Sequence, residues 1–300
     1  MQKLHDIRRR ISTVEGIGDV CRTMSTVAAA RLAMVRERAL GVRAHAAVLK
    51  AMAMRQQHAA PAAGLDVVSL SPLMEVRQPQ RVLTVVVGAD RGLCGGYNLA
   101  LGRAAVASLK RFAATYSEPV RCIALGDRAV RFLTIHGIKP EVPWHWTRAG
   151  VTVELVTNVL DECVRAFLLG EADEVWAQYT SFISAVQREP ALVRLLPIAL
   201  DEADSPADDV DARWFYEPDV HACVDELLAV LVRLQVEDVL LESYASEQAA
   251  RMVTMEEAAE RADRSLGDLR VRYNRVRREA ITADLTSVLV SRRVRQVGKS

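Results

Sequence analysis

Asp90-Arg91-Gly92-Leu93-Cys94-Gly95-Gly96 is the stretch of this 300-residue chain whose residue types come nearest to chemistry. A glycine-rich turn after a strand can present backbone N–H groups to phosphate at a helix N-terminus, so nucleotide binding is the first chemistry to weigh. The spelling argues against it. The turn lacks the G-x-G-x-x-G order, and it lacks the lysine and hydroxyl of a P-loop. A structural turn with positive φ at its glycines, and Asp90 paired locally with Arg91, is the plainer expectation. Gly298-Lys299-Ser300 has the letters that end a P-loop, but the glycine required five residues earlier is Arg293 and no strand precedes it.

Cys94 lies beside the glycines without a histidine nearby in sequence, which suits a small apolar filler better than a nucleophile. The six histidines, His145 between Trp144 and Trp146 among them, show no metal-ligand spacing and read as surface or capping residues, so no metal is expected. Carboxylates crowd Asp201 to Asp211, but general acid or base work needs burial to move a pKa, and so charged a segment reads as a solvated surface loop. No catalytic residue and no cofactor emerge.

The elements that must position this middle stretch are clearest at the two ends. No proline follows Pro218, and Asp219 to Ser300 reads as one helix. Alternating steps of four and three from Leu241 give Ala245, Gln248, Met252, Met255, Ala259 and Ala262, and continue to Val294. That 3.5-residue repeat winds a helix around a partner in a left-handed supercoil. The first fifty residues keep the same spacing through Leu4, Ile7, Ile11, Val14, Gly18, Cys21 and Ser25, and on to Leu49. The two ends are therefore expected to pair antiparallel, in a shaft of roughly 75 Å at about 1.5 Å per residue. Small seam residues such as Gly18, Ala28, Ala259 and Ala280 would let the two backbones approach closely.

All ten prolines lie between Pro61 and Pro218, and proline inside a helix costs about 3 kcal/mol. This predicts a coiled-coil helix over 1–60, a linker over 61–80 that is polar from Ser71 to Gln80, an inserted α/β domain over 81–211 and a second coiled-coil helix over 212–300. Within the insert, 81–88 and 120–125 read as buried strands, 99–116, 128–136 and 151–169 as helices, and 174–185 with 191–196 as a hairpin turning at 187–190. The β-α-β-α alternation implies a parallel sheet covered by helices. The fold class is α/β plus a long coiled coil, with antiparallel N- and C-terminal helices flanking an open Rossmann-like α/β domain.

Half the residues are apolar and only 5% aromatic, which favours helices built on small side chains. The net charge of +1 gives no case for nucleic acid or an acidic membrane. It hides a gradient, since the first helix is rich in arginine while Asp201 to Asp219 is acidic. Five scattered cysteines with no Cys-x-x-Cys pair suit a reducing compartment. No apolar run reaches spanning length and the N-terminus lacks a signal-peptide core, so a cytosolic or peripheral protein is expected.

Three segments carry a family resemblance. The first helix has Ile7-Arg8-Arg9-Arg10-Ile11 and Val27-Ala28-Ala29-Ala30-Arg31-Leu32; the middle has Asp90 to Asn98 and Leu195-Leu196-Pro197. The last helix has Ala245-Ser246-Glu247-Gln248-Ala249-Ala250-Arg251-Met252-Val253-Thr254-Met255, then Tyr273-Asn274, Arg277 and Ala280-Ile281-Thr282. Over nearly its whole length the chain resembles the central-stalk gamma subunit of F-type ATP synthases.

The resemblance implies a non-catalytic rotor shaft that couples nucleotide turnover to rotation of a membrane ion-translocating ring, for protons or sodium. The implied partners are an alternating hexamer of catalytic and non-catalytic nucleotide-binding subunits, an epsilon-type stalk subunit and the membrane rotor ring, with no cofactor, no nucleic acid and no direct small-molecule substrate. The implied location is peripheral, on the cytoplasmic face of a bacterial inner membrane.

By the same resemblance Arg22, Met24, Arg277, Arg278, Thr282 and Asp284 would contact the catalytic subunits, and Trp214, Tyr216 and Glu217 the membrane ring. The chain departs from the family pattern at Asp19, Ser25, Thr26, Arg278 and Asp284 and in a longer basic tail, which suggests a divergent or second-copy bacterial form. The rival readings are a stand-alone nucleotide-binding α/β enzyme and a coiled-coil scaffold.

Overall fold

The computed structural model describes residues 2–59, 71–141, 143–147, 149–200 and 219–297. Two long helices, α1 (Gln2–Ala59) and α5 (Val220–Val297), bracket the chain. Between them run β1 (Val82–Val87), α2 (Tyr97–Thr115), β2 (Arg121–Leu125), α3 (Asp127–Ile135), β3 (Pro143–Trp144), α4 (Val153–Leu168), β4 (Glu174–Phe182) and β5 (Arg188–Leu196). The acidic segment 201–211 lies outside the described residues.

The sheet order is β3-β2-β1-β4-β5, with β5 antiparallel to β4 and the other pairings parallel. Every residue of β1 is buried, which explains its continuous Val-Leu-Thr-Val-Val-Val run: it lies mid-sheet with both faces covered. On one face Val86, Cys122 and Ala124 pack against Ala105 and Leu109 of α2 and Ala129 and Leu133 of α3. On the other, Leu83, Val85, Ile123 and Leu125 belong to a core with Val156, Val159 and Phe167 of α4 and Leu228, Val232 and Leu240 of α5.

Three local features differ from the sequence expectation. β3 is only two residues, one of them proline, too short to leave a periodic pattern. The hairpin turns earlier than expected, with Ile183 and Ser184 N–H donating to Gln187 O and the Ser184 hydroxyl accepting from Val186 and Gln187 N–H. Strand β5 therefore begins at Arg188, and Pro190 is tolerated because β5 is an edge strand. Within the stretch read as a polar linker, Pro72–Met74 forms a 3₁₀ turn that buries Leu73 and Met74 in the main core.

By contact the chain divides into two units, Met1–Val27 with Met252–Ser300, and Ala28–Arg251, so the division falls within each long helix. In the first unit Ile7, Cys21, Met255, Ala259, Ala262 and Leu266, all on the expected seams, are buried. The Cβ that an alanine would place at Gly18 comes within 3.4 Å of Ala262 Cβ, the close approach that small seam residues permit. Arg22 pairs with Asp263 at 3.0 Å and Glu15 with Arg270 at 2.7 Å, so α1 ascends as α5 descends. In the second unit Arg38 pairs with Glu237, and Arg43 with Asp238 and Glu242, so ion pairs join α1 and α5 there too.

Candidate functional site

An open parallel sheet binds ligands outside the carboxyl ends of its strands, where the strand order reverses. Here the chain moves outward from β1 to β2 and β3, then returns to β4 on the other side of β1, so that crevice lies between β1 and β4. It is filled by α5. From Leu240 to Arg251 every residue of α5 is buried, on all sides of the helix. The Ser243 hydroxyl donates to Val87 O at 2.8 Å, at the end of β1, and lies 2.8 Å from the Tyr97 hydroxyl. One turn on, the Ser246 hydroxyl donates to Thr180 O at 3.0 Å, on β4. Three-residue spacing puts both serines on one face of the helix.

The turn after β1 closes around the same helix. Cys94 packs with Ala89, Tyr97 and Ala250, and burial pushes its thiol pKa up. The Arg251 guanidinium pairs with Glu247 at 2.6 Å and reaches Gly92 O at 3.4 Å. Burial pushes the Glu247 carboxyl up, with Arg251 opposing it. The left-handed residues are Leu93 (φ 64) and Gly95 (φ 55), so of the turn's three glycines only Gly95 has positive φ.

Asp90 is held by groups other than Arg91: its carboxylate accepts from Asp127 N–H at 3.1 Å and Trp146 N–H at 2.9 Å. Beside it is a cavity of about 320 Å³ lined by Arg31, Arg91, Trp146, Glu247 and Arg251 among others. His145 Nδ1 lies 3.6 Å from Asp90 and 3.4 Å from Asp127. The structure thus gathers three metal-ligating side chains from two loops and the first turn of α3, which no sequence spacing could reveal. His136, by contrast, caps: its Nδ1 lies 2.8 Å from Phe132 O.

The residues assigned by resemblance to the catalytic subunits fall in the first unit. The Arg22 guanidinium is held by Asp19 at 2.8 Å as well as by Asp263, and the bonds to Asp19 and then Asp263 push its pKa up. Met24 is half-buried, packed against Cys21, Met255 and Ala259. Ser25 sits on the seam, its hydroxyl donating to Met252 O at 3.2 Å, and Thr26 bonds back to Arg22 O.

On α5 the seam runs half-buried through Tyr273, Val276 and Ala280, after which Ile281, Thr282 and Ala283 are exposed. Arg277 and Arg278 are exposed too, and the Thr282 hydroxyl donates to Arg278 O at 2.9 Å. Asp284 lies in the helix, but its side chain is outside the described residues, as are Trp214, Tyr216 and Glu217. Sequence reasoning missed Tyr97, Ser243 and Ser246. The one available signal was a pair of serines three apart in a helix segment otherwise built on a small-residue seam.

A family model described as ATP synthase matches residues 3–291. The ATP synthase gamma chain of Azoarcus sp. (strain BH72) is 32% identical over 288 residues, covering 95% of this chain and 96% of its own. That of Geobacter sp. (strain M21) is 33% identical over 296 residues, with 96% and 97% covered. Among solved structures, a chain of the Euglena gracilis mitochondrial ATP synthase (OSCP/F1/c-ring, rotational state 3) aligns at a TM-score of 0.64 and 16% identity, covering 100% of this chain and 96% of that one. A chain of the Tetrahymena thermophila mitochondrial ATP synthase central stalk and c-ring aligns at 0.58 and 20% identity, with 80% and 99% covered. At these identities the structural likeness establishes the fold alone.

Proposed function

This chain belongs to the family of ATP synthase gamma chains, and we propose that its two units divide the work of that family's non-catalytic rotor shaft. The antiparallel pair of Met1–Val27 with Met252–Ser300 presents an asymmetric surface to a ring of nucleotide-binding subunits. Each subunit then meets a different face of the shaft, and differential affinity shifts the conformational equilibrium of otherwise identical sites. Arg22, Met24, Arg277, Arg278, Thr282 and Asp284 make those contacts. Trp214, Tyr216 and Glu217 make the contact with the membrane ring, and an epsilon-type subunit completes the stalk.

The Ala28–Arg251 unit serves as the clamp. Its sheet spends the crevice that doubly wound enzymes reserve for a ligand on holding α5, so a twist applied to the domain is resisted by Ser243, Ser246 and Tyr97. What carries the proposal is the pairing of the first and last helices along one 3.5-residue seam, in a chain matched to the family over residues 3–291.

None of the described helices is long and apolar enough to cross a membrane. With the bacterial origin of its relatives, this supports a peripheral position on the cytoplasmic face of the inner membrane.

The test is Met24→Lys in the assembled complex. Met24 is half-buried at the seam edge, so a lysine stem can cover the same apolar surface while its ammonium reaches water, leaving the helices paired. The added charge should lower the number of ions pumped per ATP in reconstituted vesicles, with circular dichroism unchanged. An unchanged ratio would remove Met24 from the contact surface.

A further inference from the structure

We propose that Asp90, Asp127 and His145 form a binding site for a divalent transition-metal ion of the zinc type. The three side chains come from the turn after β1, the first residue of α3 after β2, and the loop after β3. They therefore stand at the carboxyl ends of three adjacent parallel strands. With the β1/β4 crevice filled by α5, this is the part of the sheet's ligand-binding edge left open to solvent.

The spacing fits the ion. Bonds of about 2.0–2.2 Å to carboxylate oxygen and imidazole nitrogen place tetrahedral ligand atoms about 3.3–3.6 Å apart. His145 Nδ1 lies 3.4 Å from Asp127 Oδ1 and 3.6 Å from Asp90 Oδ1. One ligand atom from each of the three residues lies within 4.8 Å of the other two. One imidazole with two carboxylates suits zinc, cobalt or manganese better than calcium, which takes oxygen ligands alone.

The frame is built before any ion arrives. Asp90 is fixed by the N–H groups of Asp127 and Trp146. Trp146 is fixed in turn by its indole N–H on Gly88 O at 2.6 Å and its ring against Tyr244, and that anchors the neighbouring His145. Each carboxylate oxygen keeps a lone pair beyond the one its hydrogen bond uses. The Asp127 and His145 side chains are about half exposed, so water can reach the site to complete the coordination.

A metal here would tie β1, α3 and β3 together on the clamp domain, well apart in sequence from the residues assigned to the catalytic subunits. The inference rests on the side-chain cluster and not on the shaft reading, so either can fail without the other.

The experiment is calorimetric titration of the full-length chain with Zn²⁺, and with Co²⁺ read by visible absorption. One ion per chain at micromolar free metal is expected, with a Co²⁺ spectrum of an N/O-ligated site. His145→Ala and Asp127→Asn, at exposed and half-exposed side chains, should fold normally by circular dichroism and each lose at least about tenfold in affinity. No saturable binding would overturn the site and leave His145 as a plain neighbour of the two carboxylates. So would equal binding by His145→Ala, which would mark the metal as held by other histidines.

Discussion

Ser243→Ala is the perturbation that bears most directly on the clamp. Ser243 is fully buried, and its hydroxyl is shared between Val87 O and the Tyr97 hydroxyl, both at 2.8 Å. Alanine takes the donor from Val87 O and leaves the Tyr97 hydroxyl only the longer bond, at 3.2 Å, to Ser243 O. A buried polar group deprived of its partner costs about 1–3 kcal/mol, and the cavity left by one oxygen is small, so a loss of about 2 kcal/mol is expected.

Urea unfolding followed by tryptophan fluorescence reads this well, because Trp144, Trp146 and Trp176 all lie in the Ala28–Arg251 unit. With a slope of about 1–3 kcal/mol per molar urea, the midpoint should fall by about 1 M with the slope unchanged. Tyr97→Phe removes the other end of the same bond, so the double variant should be less destabilised than the sum, by about 0.5–1 kcal/mol. Strict additivity, or a Ser243→Ala loss below about 0.5 kcal/mol, would show that apolar packing holds α5 in the crevice and the hydroxyls do not.

Asp173, 2% exposed, accepts from the N–H groups of Gln80 and Arg81 at 3.0 and 2.9 Å and pairs with the Arg81 guanidinium; burial raises its pKa, but these bonds together hold it below the ordinary value. Its contribution is therefore complete above the unfolded carboxyl pKa and lost as pH falls through the lower folded one, so Asp173→Asn should flatten the acid limb of a stability-against-pH curve, and an unchanged limb would refute the assignment. A Cβ at Gly102 would lie 2.5 Å from the Phe132 ring, so Gly102→Ala should force α2 and α3 apart and cost about 1–3 kcal/mol in the same urea assay. Burial pushes the Cys122 and Cys163 thiols up to about 12, so neither should react with maleimide at pH 8 until the chain is unfolded, as mass spectrometry of the labelled chain would report. Truncation after Ile281 removes Asp284 and the exposed Thr282, so assembly should survive while single-molecule torque drops; full torque would exclude these residues from the contact.

The amino-acid order alone determined that the two ends form long helices and pair. A 3.5-residue repeat is written in the spacing of near neighbours, and Gly18, Cys21, Met255 and Ala262 lie in the interface it specifies. The alternation of β-branched runs with amphipathic segments likewise sufficed for the parallel sheet, because a strand buried on both faces has no choice but to be apolar. What only the tertiary structure decided was where distant residues meet. Ser243 finds Val87 across 156 residues, and Asp90 receives the N–H groups of Asp127 and Trp146 from 37 and 56 residues away. No periodicity encodes such meetings, since they depend on the depth at which a helix settles against a sheet edge and on how each loop satisfies its own backbone. The same cause hid β3 and His145: a two-residue strand is stabilised by its neighbour's hydrogen bonds and not by its own side chains.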